Sequence, residues 1–382
     1  MPPNADSAKN GIIAAKLNEQ AMSEKLIRAR CKSCGGEMNY RPDKPNVLSC
    51  DSCGATEALK SENDQIVERD FREALKTGSA QKGMGVETHD FKCKGCGATT
   101  MTDASVSSIE CSFCGTPIVK PDAYAQNVIQ PAGLAPFKVD KRQAQQAFSD
   151  WIGQGWFLPS DLSKIAKLSK LDGVYVPYWT FDAKTHSHWT ADAGYYYYVE
   201  VEYTDAQGQK QRRQERRVRW VPVSGQYQDF FDDVLIPAST GVKPENARRI
   251  EPFALKELVN FEPKYLLGWR SEAYAVDPET GFERAEKIMD EAIRNACAKM
   301  IPGDTYRDLN VNTRKYDITF KHVLLPVWIA AYKYGEKVYQ VLVNGQTGKI
   351  GGEKPISWIK VALTVLVVVV VAVVVYMLVK KP

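Results

Sequence analysis

The chain has 382 residues, 25% charged and 44% hydrophobic, and carries a formal net charge of +4 at pH 7. So small a positive excess argues against a nucleic-acid binder, because neutralising phosphates needs clustered Lys and Arg. The length is ample to bury a sizeable core, so the nine cysteines are not needed as staples for a miniature fold.

The amino end, Met1-Pro2-Pro3-Asn4 onward, lacks the charged-then-apolar pattern of a secretory signal. Residues 1–30 are expected to form a helical or flexible segment, with helix pattern over residues 7–29.

Eight cysteines follow as four Cys-x-x-Cys pairs: Cys31 and Cys34, Cys50 and Cys53, Cys93 and Cys96, Cys111 and Cys114. The inner gaps, fifteen and fourteen residues, have the spacing of four-thiolate zinc ribbons. Each second cysteine is followed by glycine (Gly35, Gly54, Gly97 and Gly115), which takes the positive φ of a tight knuckle at no steric cost. A disulfide framework conflicts with a reducing cytosol, and a redox pair would need a thioredoxin-like context that these short spans lack. The spacing predicts ribbons over 31–55 and 91–120, one module used twice, holding two structural Zn2+ ions. Pairing within each ribbon closes shorter loops than cross-bracing would. Between the ribbons, residues 56–90 are expected to give a linker helix in "NDQIVERDFREALKT", with Ile66, Val67, Phe71 and Leu75 on one face. A hinge is expected at "GSAQKGMG".

Residues 135–355 are aromatic and β-branched, and their pattern predicts an α+β domain. Helices are expected in "DKRQAQQAFSDWIGQGWF", "EPFALKELV" and "FERAEKIMDEAIRNACAKM", the last with Cys297 as a small core residue. Strands are expected in "GVYVPYWTFDA", in a long hairpin turning at Asp205 to Gln209, in "KYDITFKHVLLPVWIAAYKY" and in "EKVYQVLVNGQTGKIGG". Val176-Pro177-Tyr178-Trp179 and Leu325-Pro326-Val327-Trp328 suggest two related halves.

No motif for catalysis stands out. "NGQTGK" is too short for a phosphate cradle, and neither H-E-x-x-H nor G-x-S-x-G occurs. His186 and His188 share one strand face without a third ligand. His89 precedes a ribbon already supplied with ligands, and His322 reads as a packing residue. The basic run Lys210, Arg212, Arg213, Arg216, Arg217 and Arg219 lies in the hairpin 205–222 and would suit anionic lipid or nucleic acid. Cross-strand pairing with Glu200 and Glu202 and stacking on the facing tyrosines explain it as well. Of the run Tyr195 to Tyr198, alternation should send half into the core. Between Cys96 and Cys111 there is no basic residue, so protein contact suits these rigid modules better than nucleic acid.

Val361 to Val379 is nineteen residues without charge, Gly or Pro. In lipid a helix satisfies its own backbone whatever its β-propensity, so residues 358–379 are expected to span a membrane. Trp358, Lys360, Tyr376, Lys380 and Lys381 are placed as interfacial anchors. With three residues following the apolar run, a tail anchor is expected, the bulk of the chain cytosolic.

The paired cysteine modules, "WFLPSDL", "GVYVPYWTFDA", "LLPVWIAAYKYGEKVYQVLVNGQTGKI" and the terminal helix together resemble a bacterial family of membrane-anchored TFIIB-type zinc-ribbon proteins. Members are often likened to a primosomal helicase. The absence of a Walker motif here sets that activity aside and leaves the zinc resemblance. The resemblance implies metal ligation at the eight cysteines and a role in bringing PspA-like or SPFH-type partners to the membrane during envelope stress. The expectation is a non-enzymatic, tail-anchored adaptor. The alternatives are a membrane-tethered nucleic-acid binder and a hydrolase or transporter-associated enzyme using the α+β domain.

Overall fold

The structure, a computed structural model, describes residues 29–59, 66–77, 88–103, 108–114, 116–119, 129–162, 171–204, 206 and 208–379. The expected amino-terminal helix, up to residue 28, and the expected hinge lie outside the described residues.

Strands β1 (Met38–Arg41), β2 (Lys44–Cys50) and β3 (Thr56–Ala58) form the antiparallel sheet of the first ribbon. A two-residue strand β4 (Arg69–Asp70) and helix α1 (Phe71–Thr77) follow. The second ribbon holds β5 (Thr88–Lys92), β6 (Thr99–Asp103), β7 (Ser108–Glu110) and β8 (Pro117–Val119). After β9 (Gly133–Leu134) and α2 (Lys141–Ile152) come the long strands β10 (Leu171–Thr204) and β11 (Lys210–Pro237). The chain continues through α3 (Pro244–Arg249), β12 (Val259–Asn260), β13 (Arg270–Glu272) and α4 (Pro278–Met300). It ends with β14 (Thr305–Tyr334), β15 (Lys337–Asn344), β16 (Ile350–Gly352) and α5 (Trp358–Val379). The class is α+β.

A blade ordered β11-β10-β14-β15 organises everything else. At about 3.3 Å per residue, the 34 residues of β10 follow roughly 110 Å of strand path. Their burial changes along the way. From Val174 to Ala183 every side chain is buried, because both faces are covered. Beyond Lys184 burial alternates, and from Tyr196 to Tyr198 it is lost.

The two Pro-aromatic motifs meet in this blade. Tyr175 lies opposite Pro326 and Pro177 opposite Leu324. Each proline falls where its strand changes partners on the far side. β10 leaves β13 after Tyr175 and meets β11 from Tyr178. β14 leaves β9 after Leu324 and meets β15 from Val327. A residue without an N–H is tolerated inside a sheet only at such a gap. Each half runs helix, long strand, returning strand: α2-β10-β11 and α4-β14-β15.

Helix α2 starts at a capping box. Asp140 accepts from the Gln143 amide (2.8 Å), and Gln143 accepts from the Asp140 amide (2.9 Å). Ala144, Phe148 and Ile152 form its buried stripe. It stops at Ile152, five residues short of the expected end, so Trp156 and Phe157 lie in a loop. Helix α4 buries Ala285, Met289, Ile293 and Cys297 along the blade. The expected helix at "EPFALKELV" is instead a 3-10 turn at Leu255–Glu257 followed by β12. There Gln346 Oε1 takes the Ala254 amide (3.0 Å), and Val259 pairs with Leu134.

The expected linker helix is also shorter, covering Phe71 to Thr77 alone. Arg69 and Asp70 pair with β14 instead, and Val67 is 74% exposed. Phe71 drives this: its ring sits 5.6 Å from Phe181, 5.6 Å from Phe320 and 4.8 Å from Phe282. The linker is thereby strapped to the blade.

Candidate metal centres

Each ribbon brings its four cysteines together, within one ribbon and not across the two. Cys31, Cys34, Cys50 and Cys53 place their sulfurs within 4.8 Å of one another, as do Cys93, Cys96, Cys111 and Cys114. Cys31 to Cys53 and Cys34 to Cys50 measure 3.5 Å. Cys93 to Cys114 is 3.5 Å and Cys96 to Cys111 is 3.7 Å. A tetrahedron with metal–sulfur bonds near 2.3 Å has edges of about 3.8 Å, so the donor set fits a four-coordinate thiophilic ion.

The knuckles explain the convergence. The Gly35, Gly54 and Gly97 amides donate to the Cys31, Cys50 and Cys93 carbonyls at 2.8, 3.0 and 2.9 Å. Their φ angles are 74°, 76° and 79°, where a Cβ is strained. Gly36 is needed for space, since a Cβ there would lie 3.1 Å from Cys50 Sγ and 2.8 Å from Ser52 Oγ.

The electrostatics ask for a cation. The backbone amides of Ser33 and Cys34 bring the Cys31 thiol down to about 6. Cys111 falls to about 5, chiefly through the Cys96 sulfur and then the Phe113 and Cys114 amides. The same contact drives Cys96 far above the usual thiol range. Four sulfurs at this spacing cannot all ionise unaided, and a divalent ion removes the conflict.

The ribbons do not stand apart from the blade. Paired residues of β10 and β14 point to a common face, and the two faces hold different ribbons. Tyr175, Leu324 and Trp328 share a core with Cys31, Met38, Tyr40, Leu48 and Cys50. Val174, Val176, Val323 and Leu325 share another with Cys93, Ala98, Cys111 and Phe113. Ribbon 1 is tied by the Trp269 indole donating to the Tyr40 carbonyl (2.9 Å). Ribbon 2 continues the main sheet through β6 and β13, and Arg270 bridges Ser112 and Asp172, lying 3.0 Å from Asp172 Oδ2. The centres differ in exposure: Cys34 and Cys53 are exposed, whereas Cys96 and Cys114 are half-buried. Beside ribbon 2 the fully buried Glu272 is pushed up to about 8 by burial.

The remaining expected residues fall as follows. His186 and His188 do share a face, their rings 4.9 Å apart, and His186 faces Gln226 Oε1 at 3.4 Å. Among the described residues, the groups arranged to hold a metal are the two cysteine clusters. His322 is buried, with Nδ1 2.7 Å from the Ile129 carbonyl. Four arginines of the hairpin are stacked or paired. Arg216 lies over Tyr196 (4.3 Å), Arg213 over Tyr203 (5.3 Å) and Arg219 over Tyr195 (5.7 Å), while Arg212 meets Glu202 at 3.3 Å. Tyr196, Tyr197 and Tyr198 are all exposed, contrary to the expected split. The core ends at Gly194, where β14 begins and the Asp304 amide closes on the Gly194 carbonyl (2.9 Å).

Helix α5 spans 22 residues with no buried side chain, long and apolar enough to cross a membrane. Sequence patterns missed one further cluster. Lys321, 9% exposed, lies 2.9 Å from Glu68 and 2.8 Å from Asp233. Asp182 sits beside it, accepting from the Asp233 amide (2.6 Å) and the Thr319 hydroxyl (2.9 Å). Its members come from four separate segments and leave no local signal.

With this geometry in view, the chain is similar to the uncharacterized protein YdjG of Bacillus subtilis (strain 168). The two are 28% identical over 352 residues, covering 88% of this chain and 92% of that protein. No protein-family model matches the chain, and no solved structure matches it.

Proposed function

We propose that this chain is a membrane-anchored adaptor that acts by holding a protein partner rather than by turnover. The two cysteine centres hold Zn2+, each with four protein sulfurs and no open position, so the metal is structural. Zinc stiffens the two ribbons that clamp the blade from opposite faces. The carboxy-terminal helix holds the body to the membrane, with the bulk of the chain in the cytosol.

The observation that carries the adaptor reading is the hairpin beyond Gly194. There β10 and β11 continue as a two-stranded ribbon bearing exposed Tyr196, Tyr197, Tyr198 and Tyr203 beside exposed Arg212, Arg213 and Arg217. Tyrosine and arginine are the residues that carry protein interfaces, and a ribbon with free edges can add a partner strand. The ribbons were the expected contact; Cys31, Cys50, Cys93 and Cys111 are buried in cores shared with the blade, and the hairpin tip is the surface we favour for docking. The partner class implied by the family resemblance, a PspA-like or SPFH-type membrane protein in envelope stress, is the first to test.

The test is capture from solubilised membranes, comparing the intact chain with a Tyr197→Ser, Tyr198→Ser double variant. A partner lost with the variant, while zinc content and membrane association stay unchanged, supports the reading. Salt-sensitive binding of RNA or DNA by the intact chain, abolished in the same variant, would replace it with the nucleic-acid alternative.

A further inference from the structure

Two groups of exposed apolar side chains meet at the root of α5. Trp156 is 79% exposed and Phe157 40% exposed, in the loop after α2. Ile356 (57%), Trp358 (76%) and Ile359 (83%) are exposed at the start of α5. These two groups, far apart in sequence, are bonded to each other. The Ser357 amide donates to the Phe157 carbonyl (2.7 Å), and Lys360 Nζ donates to the Leu158 carbonyl (2.7 Å). One step earlier, Lys354 Nζ donates to the Gln154 carbonyl (2.7 Å) and lies 4.1 Å from the Trp151 ring centroid. The loop is built for this bend: Gly155 has φ 134°, open to glycine and strained for any other residue.

We infer that the loop Gly155–Pro159 is a second membrane contact, seating the Trp156 indole and the Phe157 ring in the interface of the same bilayer that α5 enters. This rests on the reading of α5 as a membrane span. If α5 crosses the bilayer, its first turn lies at headgroup depth, and so does whatever is hydrogen-bonded to that turn. Phe157 and Leu158 are bonded to it directly. A tryptophan at this depth has an apolar body for the acyl boundary and an N–H for the headgroups, which is why tryptophans gather there. The Lys354 and Lys360 ammonium groups lie at the same level, placed to meet anionic headgroups.

The occupant is lipid rather than a protein because the surface is continuous with the root of the membrane helix. The consequence is orientation. A lone helix joined by a short connector lets the body swing, whereas two contacts fix its tilt.

The full chain in phosphatidylethanolamine–phosphatidylglycerol vesicles tests this. The photo-crosslinking residue p-benzoylphenylalanine replaces Trp156, Val370 or Tyr306 in turn. Val370, within α5, is 53% exposed, and Tyr306, at the distal end of β14, is 46% exposed, so none of the three sites disturbs the core. Lipid adducts are read by mass after irradiation. Labelling from positions 156 and 370 several-fold above that from 306 is expected. Labelling from 370 but no more from 156 than from 306 overturns the second contact and leaves the anchor standing. No labelling from either 370 or 156 overturns the anchor, and the inference with it.

Discussion

Trp269 holds Tyr40 across a sequence separation of 229 residues, its indole N–H donating to the Tyr40 carbonyl at 2.9 Å. The same indole stacks on Phe137 at 3.9 Å and packs edge-on to Trp328 at 5.5 Å. It therefore couples the cysteine-bearing sheet of ribbon 1 to the blade. Gly173 makes room for it, since a Cβ there would lie 2.3 Å from the indole.

Trp269→Ala is expected to lower stability by about 2–3 kcal/mol, below the usual cost of removing a fully buried aromatic ring because this one is half-buried. It should also speed zinc release from one centre and not the other. Chelator competition on the full chain, followed with a colorimetric zinc indicator, checks this. Release at an unchanged rate would mean that ribbon 1 holds its metal without the blade.

Metal analysis of the full chain is expected to give two zinc per chain, with the centres unequal in their consequences. Cys53 is exposed and Cys111 is buried in a core shared with Val174 and Val323. Cys111→Ser should therefore lower the thermal midpoint of the whole body, whereas Cys53→Ser should lose one zinc with a smaller loss of stability. Equal effects would contradict the asymmetric packing.

The cysteine clusters and the apolar helix were legible because each is written in a contiguous stretch. Spacing gives the knuckles, and an uninterrupted run gives the span. The blade was only half legible. "GVYVPYWTFDA" and the hairpin were read as separate elements, because Lys184 to Thr190 lacks the continuous apolar character of the flanking residues. In the structure that stretch alternates between α4 and solvent within one strand. The clamping of ribbons onto opposite faces was not legible, since it depends on pairings such as Tyr175 with Pro326. The periodicity of Ile66, Val67, Phe71 and Leu75 misled for the same reason: three distant phenylalanines capture Phe71 and straighten the chain before it.

Lys321 joins that strap to the blade through Glu68 at 2.9 Å, with Asp233 at 2.8 Å on its other side. Removing one partner of a buried ion pair costs about 3–5 kcal/mol because the other is left uncompensated. Lys321→Met should thus be more damaging than Glu68→Gln, whose carboxylate is more exposed. Glu68→Gln should instead raise hydrogen exchange in residues 66–77 with a smaller change in global stability. Exchange measured by mass spectrometry decides it, and protection unchanged at 66–77 would show that Phe71 alone secures the strap.

His322 gives the fold a testable pH dependence. Burial lowers it from 6.5 to about 4, and Nδ1 lies 2.7 Å from the Ile129 carbonyl, the geometry of a neutral imidazole donating there. The unfolded chain takes up a proton at the ordinary value, while the folded chain resists until near 4. Between those limits the unfolded state binds more protons, so stability is intact above pH 6.5 and falls as the pH drops toward 4. The full swing for one such group is about 3 kcal/mol. Asp182, raised to about 6, and Glu272, raised to about 8, are both lifted by burial and act in the opposite sense. The difference between two proteins isolates the histidine. His322→Asn keeps an N–H for the Ile129 carbonyl and cannot titrate. Urea unfolding of the full chain in detergent, repeated from pH 7 to pH 4, should show the variant losing less stability than the parent across that range. Parallel curves would mean that His322 gains its proton as easily in the folded chain as in the unfolded one.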